Sequence, residues 1–321
     1  MIIQDRVYGE YSIEEPVLLA LIESPAVQRI KNINQYGIPD KYFYVYNFSR
    51  YEHCIGVMIL LGKLGATLEE QIAGLLHDVS HMAFSHTFDW VIGTNIQEEY
   101  ADSQHRNYLL KVGMDKILHK YGYNFDRIAD PHQFTLLEQD APELCADRVD
   151  YALRECIFNF PIDEVQASVQ NFTTNQGQII CKNYESALWF GEKFLWHQIH
   201  RWGSFEGVSR FRYFAKALKY GVDEGTITLE DFMQDDNFVT TKLEKTSNPK
   251  IHTILSTLKL KSLSHLPPST EITNKKFRYV DPLFLDGKNI QRLSNVDSHF
   301  KEKLEHARNE NSKGVILPIV E

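Results

Sequence analysis

The stretch IAGLLHDVSHMAFSH, residues 72–86, decides how this chain is read. An apolar helical run ends in the pair His77-Asp78, and two further imidazoles follow at His81 and His86. Neighbours on a helix point about 100° apart, so His77 and Asp78 cannot face one target in mid-helix. At a last turn the backbone can unwind and aim both side chains at one point. Upstream, SRYEHCIGV (residues 49–57) sets Arg50 one helical turn before His53. Downstream, ADRVDYALRE (residues 146–155) carries Asp147, with Arg148 beside it and Tyr151 and Arg154 on the same helical face.

Imidazole and carboxylate are the ligands that suit a borderline or hard divalent ion. His53, His77, Asp78 and Asp147 are therefore the candidate metal ligands, for Mn, Fe, Zn, Ni or Mg. Such a set leaves positions open for water and substrate, where a bound ion acidifies water and polarises a phosphoryl oxygen. Any one of these histidines alone is more often a hydrogen-bonded structural residue; the ordered set is what argues for a metal. Arg50, Arg148 and Tyr151 add donors that fit charge on non-bridging phosphate oxygens. Asp150 and Arg154 read as an i,i+4 surface pair worth a few tenths of a kcal/mol. His105, in DSQHRNYLL, is a candidate to protonate a leaving oxygen, because its unperturbed pKa lies near neutrality.

The rest of the pattern predicts a mainly α fold. Helical spacing over residues 16–35 is interrupted at Pro25, and Gly37, Pro39 and Asp40 mark a loop. A helix is expected from Arg50 to Leu64. Thr67 and Glu70 form a capping box that opens a helix running to about Val79. Asp140 and Glu143 repeat that signal, with Pro142 in the first turn of the helix carrying DRVDYALREC. Asn171 to Gln178 is polar and turn-like, Tyr184 to Lys219 is helical, and Phe277 to Leu285 suggests a short strand before a turn at Asp286-Gly287. Residues 1–220 read as the working helical core and 221–321 as a smaller α+β accessory region.

Composition bounds the classes. The 321 residues are 43% hydrophobic with a net charge of −9, which excludes wholesale disorder and gives no global field for a nucleic acid backbone. No apolar run approaches the ~20 residues of a membrane span. The N-terminus MIIQDRVYGEYS lacks the features of a secretory signal, and Cys54, Cys145, Cys156 and Cys181 form no CxxC pair. A cytoplasmic protein with reduced thiols is expected.

The runs QRIKNINQYG, SRYEHCIGV, IAGLLHDVSHMAFSH and ADRVDYALRE together resemble the HD-domain phosphohydrolases. The likeness is to the branch with the SAM-and-HD-domain deoxynucleoside triphosphate triphosphohydrolase and the bacterial dGTPase-like enzymes, without a SAM domain. It covers residues 1 to about 160 well and continues weakly to about 215. It implies a helical HD core and metal binding by His53, His77, Asp78 and Asp147. It implies phosphate binding by Arg50, His81, His86 and Arg148, with His105 as acid or phosphate-side histidine, and water attack at the α-phosphorus to release triphosphate. Gln35 would contact the sugar and Tyr151 would pack beneath it. Departures are Tyr36 where a Leu is usual against the sugar, Lys193 in place of a phosphate-binding Arg, Arg106 in place of a Glu, and Trp202 where a Tyr-Gln pair is usual. A regulatory nucleotide site is partly matched by Gln28 and Lys31, with Glu23 for an Asp. Relatives assemble as dimers or tetramers.

The leading expectation is hydrolysis of (deoxy)nucleoside triphosphates to nucleoside and triphosphate. Beside it stand a nucleotide phosphomonoesterase or pyrophosphohydrolase with the same ligands, a catalytically silent nucleotide-binding module, and a bare helical scaffold that carries no metal. The partner in each functional case is a nucleotide or another phosphorylated small molecule.

Overall fold

The computed structural model of the protein describes residues 1–43, 47–94 and 100–320. The interruption at Pro25 separates two helices, Pro16–Ile22 and Pro25–Arg29, each with Pro in its first turn, where the missing N–H costs nothing. The helix Arg50–Lys63 opens on a full capping box: Ser49 Oγ accepts from Glu52 N at 3.2 Å, and Glu52 Oε2 accepts from Ser49 N at 3.0 Å. Such a cap contributes about 1 kcal/mol and fixes where Arg50 and His53 begin.

The next helix, Leu68–Leu76, is capped by Thr67, whose hydroxyl accepts from Glu70 N at 3.2 Å. Glu70 does not close the expected box. Its carboxylate turns inward and accepts from Leu136 N at 2.9 Å and Leu137 N at 3.2 Å, tying a distant loop to this helix. The helix ends at Leu76, short of the expected Val79, so His77 and Asp78 lie in the unwound turn. The helix carrying Asp147 spans Ala146–Cys156, with Cys145 as its N-cap residue. It does not start at Asp140. Pro142 follows a cis peptide bond in a turn, and residues 139–145 form a loop that Arg148 holds by its backbone carbonyls.

These three helices pack closely because a glycine on one makes room for larger side chains of its neighbour. At Gly56 any Cβ would collide with the Arg154 and Asp150 side chains, so only glycine lets the Arg50–Lys63 and Ala146–Cys156 helices approach this far. Gly74 plays the same part against Leu61 and Val57.

Strands appear where the sequence pattern showed little. Ile2–Asp5 pairs antiparallel with Gly9–Ser12. Phe172–Asn175 and Gln178–Cys181 form a hairpin over the stretch expected to be turn-like. The strand expected over Phe277–Leu285 is shorter and later, Leu283–Asp286, paired with Asn289–Arg292 across the Asp286-Gly287 turn. The two hairpins join into one four-stranded sheet through a parallel pairing at Cys181↔Phe284. A separate two-stranded sheet pairs Pro268–Thr273 with Val315–Pro318.

Packing is continuous across residue 220, where a division was expected. Phe84 meets Phe232 at 6.2 Å between ring centroids, and Phe88 meets Phe232 at 4.8 Å. Arg210, in the helix Phe205–Asp223, is buried and donates to Tyr42 O, Leu258 O and Leu260 O, each at 2.8 Å. Among the described residues no helix is long and apolar enough to cross a membrane.

A chain ended after Tyr220 would leave Phe84 and Phe88 without the Phe232 ring and Arg210 without two of its acceptors. It is expected to give no cooperative urea transition and to bind a hydrophobic dye. A sigmoidal transition like that of the full chain would show instead that residues 1–220 fold alone.

Candidate metal centre

His53 comes from the middle of the first turn of Arg50–Lys63, His77 and Asp78 from the unwound turn after Leu76, and Asp147 from the first turn of Ala146–Cys156. Their tips converge. His53 Nε2 lies 2.9 Å from Asp147 Oδ1 and 3.3 Å from His77 Nε2. His77 Nε2 is 3.6 Å from Asp147 Oδ1, and Asp78 Oδ2 is 3.6 Å from both imidazole nitrogens. Metal bonds of 2.0–2.2 Å give ligand-to-ligand edges of about 3.0–3.5 Å, which these separations match. His53, His77 and Asp147 offer one ligand atom each within 4.8 Å of one another.

The outer nitrogens fix the tautomers. His53 Nδ1 donates to Asp150 Oδ2 at 2.7 Å, and His77 Nδ1 donates to Gly74 O at 2.8 Å. Both Nε2 lone pairs are thereby turned toward the shared point. Burial disfavours charge on His53, but its bonds to Asp147 and Asp150 outweigh burial and raise its pKa. For Asp78, burial is outweighed by Arg50 and the neighbouring histidines, which hold the carboxyl well below its ordinary range. The four electron-rich tips can sit this close only with positive charge between them, and the residues fit a divalent ion.

The pair read as a surface contact is the support of this centre. Asp150 and Arg154 are both buried; Arg154 Nε donates to Asp150 Oδ2 at 2.8 Å, and Nη2 donates to Asp5 Oδ2 at 2.7 Å. Asp5 arrives through the N-terminal hairpin. Breaking one partner of such a buried ionic set costs about 3–5 kcal/mol.

On the other side of the turn lie the donors. Arg50 donates to Asp78 Oδ2 and, through Nε, to Ser85 Oγ at 2.8 Å, while its Nη2 is buried without a hydrogen-bond partner. His81 Nε2 is 3.1 Å from Asp78 Oδ1, and the His81 and His86 rings meet edge to face at 5.1 Å. Ser80 Oγ and His105 Nδ1 share a hydrogen bond at 3.0 Å; with the hydroxyl donating, the ring proton sits on Nε2, which is also buried and unpartnered. His86 Nδ1 is a third unpartnered buried nitrogen, 3.8 Å from Asp89 Oδ2. Burial, then the positive His77, lowers the His105 pKa to about 4; burial, then Arg50, lowers that of His81 to about 3. Both rings are neutral near neutral pH, and the single N–H of His81 faces Asp78 Oδ1. Phe84 and Ser85 adopt left-handed backbone at φ 64° and 49°, a strain of order 1 kcal/mol each for residues with side chains.

Several expected phosphate and sugar contacts are engaged elsewhere. Arg148 is turned to Glu143 O at 2.7 Å, Gln139 O at 3.1 Å and Cys145 Sγ at 3.3 Å. It supplies the positive charge of a neighbouring group, Glu138, Cys145 and Asp147, that could otherwise hold an ion itself. Lys193 places its ammonium 3.9 Å over the Phe160 ring and 3.7 Å from Glu164. Arg106 pairs with Asp126 at 2.6 Å on the surface. Tyr36 donates its hydroxyl to the buried Glu155 at 2.5 Å, and Trp202 Nε1 donates to the same carboxylate at 2.6 Å. Tyr151 lies between His53 at 6.4 Å and Trp202 at 5.6 Å, and Gln35 Oε1 is buried without a partner. The sequence reading missed Asp150 as a support, and also Glu155, Asp89 and Asp236. Only the Asp150–Arg154 spacing offered a signal.

Three outcomes are expected. Asp150→Asn leaves all four tips but loosens His53, and should weaken metal affinity about 10–100-fold by competitive chelation, with the fold retained. Gly56→Ala should lower stability by about 1–3 kcal/mol in urea and weaken metal binding in the same direction. Burial pushes Glu155 up to about 7 from 4.5, against lowering bonds from Tyr36 and Trp202. Across that window the folded chain keeps a proton the unfolded chain releases, so stability falls as pH rises. Glu155→Gln should flatten that slope in urea midpoints taken at about pH 5 and about pH 8.

The HD-domain profile matches residues 50–154, the segment that contains all four tips. The uncharacterized protein YdhJ of Bacillus subtilis is 36% identical over 334 residues, covering 100% of this chain and 99% of its own. Metal-dependent phosphohydrolase cns2 of Cordyceps militaris is 29% identical over 259 residues, covering 78% and 75%. Deoxynucleoside triphosphate triphosphohydrolase SAMHD1 of Danio rerio is 29% identical over 168 residues, covering 43% of this chain and 27% of that enzyme. A phosphohydrolase structure from Bacteroides thetaiotaomicron superposes with a TM-score of 0.62 over 95% of the chain at 18% identity, which shows a common fold. With the profile, the full-length likeness to YdhJ and the converging histidines and aspartates in agreement, the chain belongs to the HD-domain metal-dependent phosphohydrolases.

Proposed function

We propose that this chain hydrolyses a phosphate ester of a nucleotide, with one phosphate group seated between the metal centre and the turn Ser80–His86. The observation that carries this reading is the set of buried, unpartnered nitrogens, Arg50 Nη2, His86 Nδ1 and His105 Nε2, beside the four converging tips. Buried donors without acceptors are costly, and an anion satisfies them.

His53, His77, Asp78 and Asp147 would hold the divalent ion. When bound, it supplies Lewis-acid charge to a phosphoryl oxygen and acidifies a nearby water. Arg50 Nη2 binds a non-bridging oxygen, and its bond to Asp78 keeps the guanidinium in that orientation. His81 and His86 line the same side. His105 offers its Nε2 proton to the leaving oxygen, with Ser80 holding the ring. A dianion beside it raises its pKa so that the ring is protonated at both nitrogens; Nδ1–H then donates to Ser80 Oγ, Nε2 gives its proton to the leaving oxygen, and a neutral ring remains. Tyr151 gives the organic part of the substrate a flat wall, and Gln35 Oε1 can accept from a sugar hydroxyl.

Phosphate number follows from the cations. Arg148 and Lys193, two of the side chains expected to hold a triphosphate, are engaged with loop carbonyls and with Glu164 and Phe160. This favours a monophosphate ester over a triphosphate. Triphosphate release from dNTPs is the second reading, supported by the likeness to SAMHD1 through this segment.

The full chain loaded with Mn is expected to release inorganic phosphate from at least one nucleoside monophosphate. His53→Ala and Asp147→Ala are each expected to lower kcat/KM by about three orders of magnitude or more, the loss of several kcal/mol of metal assistance. Release of triphosphate from dNTPs, with monophosphates left intact, would support the second reading. No hydrolysis of any nucleotide by the Mn-loaded chain would contradict both.

A further inference from the structure

The turn that presents His81 and His86 contains two consecutive left-handed residues with side chains, Phe84 and Ser85. Such a turn persists only where its surroundings over-determine it. The holders come from far along the chain. Asp236, the first residue of the helix Asp236–Glu244, is 4% exposed. Its Oδ1 accepts from Phe84 N at 2.7 Å, and its Oδ2 accepts from Asn34 N at 2.9 Å. Just before it, Phe232 O accepts from Ala83 N at 2.8 Å. Arg29 bridges the same two segments: Nη2 donates to Val79 O at 2.9 Å and His81 O at 2.7 Å, and Nη1 donates to Gln234 O at 3.0 Å.

The chain of bonds ends on the phosphate side of the centre. Ser85 Oγ donates to Asn34 O at 2.9 Å and accepts from Arg50 Nε at 2.8 Å. Asn34 is thus held at its N–H by Asp236 and at its carbonyl by Ser85. The Asp236 carboxylate, the Asn34 peptide, the Phe84-Ser85 turn and the Arg50 guanidinium make one closed arrangement. The metal side shares only Arg50, which also binds Asp78; its histidines have other supports, Asp150 for His53 and Gly74 O for His77.

We propose that Asp236 is a positioning residue for the phosphate site, acting through the Phe84–His86 turn and, by way of Ser85, through Arg50. This rests on reading Arg50, His81 and His86 as phosphate-binding. It gives residues 232–236, in a region read as accessory, a supporting part in the site: they form the outer wall of the anion-binding turn. Because His53, His77 and Asp147 lie outside this arrangement, loss of Asp236 weakens phosphate binding and leaves the metal in place.

The test uses the full chain loaded with Mn, with inorganic phosphate as the probe. Asp236→Asn is isosteric, but its single carbonyl oxygen can serve only one of the two amides; Asp236→Ala serves neither. Mn stoichiometry should be the same in wild type and both variants. The calorimetric Kd for phosphate should weaken roughly tenfold in the Asn variant and further in the Ala variant. KM should rise, and amide exchange should quicken at Phe84 and Ser85 but not in the Arg50–Lys63 helix. Should the Ala variant fail to fold, the Asn variant makes the same comparison. A phosphate Kd unchanged in the folded variants, or weakened only in proportion to lost Mn, would overturn the role of Asp236. A wild-type chain that loads Mn and binds no phosphate would overturn the phosphate reading beneath it.

Discussion

Two imidazole nitrogens and two carboxylate oxygens are brought within 3.6 Å of neighbours that also carry lone pairs. Water would separate such groups on a surface. Here they stay together because three of the four are held from behind. Asp150 and Gly74 O take the outer protons of His53 and His77, and Arg50 neutralises Asp78. Positive charge at the centre resolves the remaining repulsion. The three-helix packing is built for this convergence: glycine at 56 and 74 lets backbones approach, and the helix stops at Leu76 so that adjacent residues can share one target.

The supports reach across the whole chain. Asp5 from the N-terminal hairpin completes the pair beneath His53, Glu70 ties down Leu136 and Leu137 ahead of Asp147, and Asp236 braces the turn after His81. Buried carboxylates are therefore used repeatedly as acceptors for backbone amides or guanidinium groups. Each links segments distant in sequence. Such groups are weak sources of net stability, because their desolvation offsets much of the attraction, but removing one partner is costly. They fix geometry, which is what a site with four converging ligands needs.

What the sequence showed follows from range. His53, His77-Asp78 and Asp147 stand at helix ends or first turns, where local spacing and capping carry information, and the mainly α class was legible for the same reason. The interruption at Pro25 and the turn at Asp286-Gly287 were local too. The buried role of Asp150 and Arg154 was hidden, since an i,i+4 pair looks the same in sequence whether it faces water or the core. Glu70 looked like a cap because Thr67 preceded it, and only the structure shows its carboxylate spent on a loop more than sixty residues away. Four-residue strands such as Ile2–Asp5 are too short for a two-residue period to stand out. Tyr36, Glu155 and Trp202 meet only through tertiary packing, so spacing could not reveal that the Tyr36 hydroxyl is already engaged.

X-ray absorption at the metal edge, on the full chain loaded with one equivalent of Zn, tests the centre most directly. The account predicts a nitrogen and oxygen shell at about 2.0–2.2 Å with the multiple-scattering pattern of two imidazoles and no sulfur. A sulfur shell at about 2.3 Å would place the ion at Cys145 instead, and a spectrum without imidazole scattering would contradict the convergence of His53 and His77 on one cation.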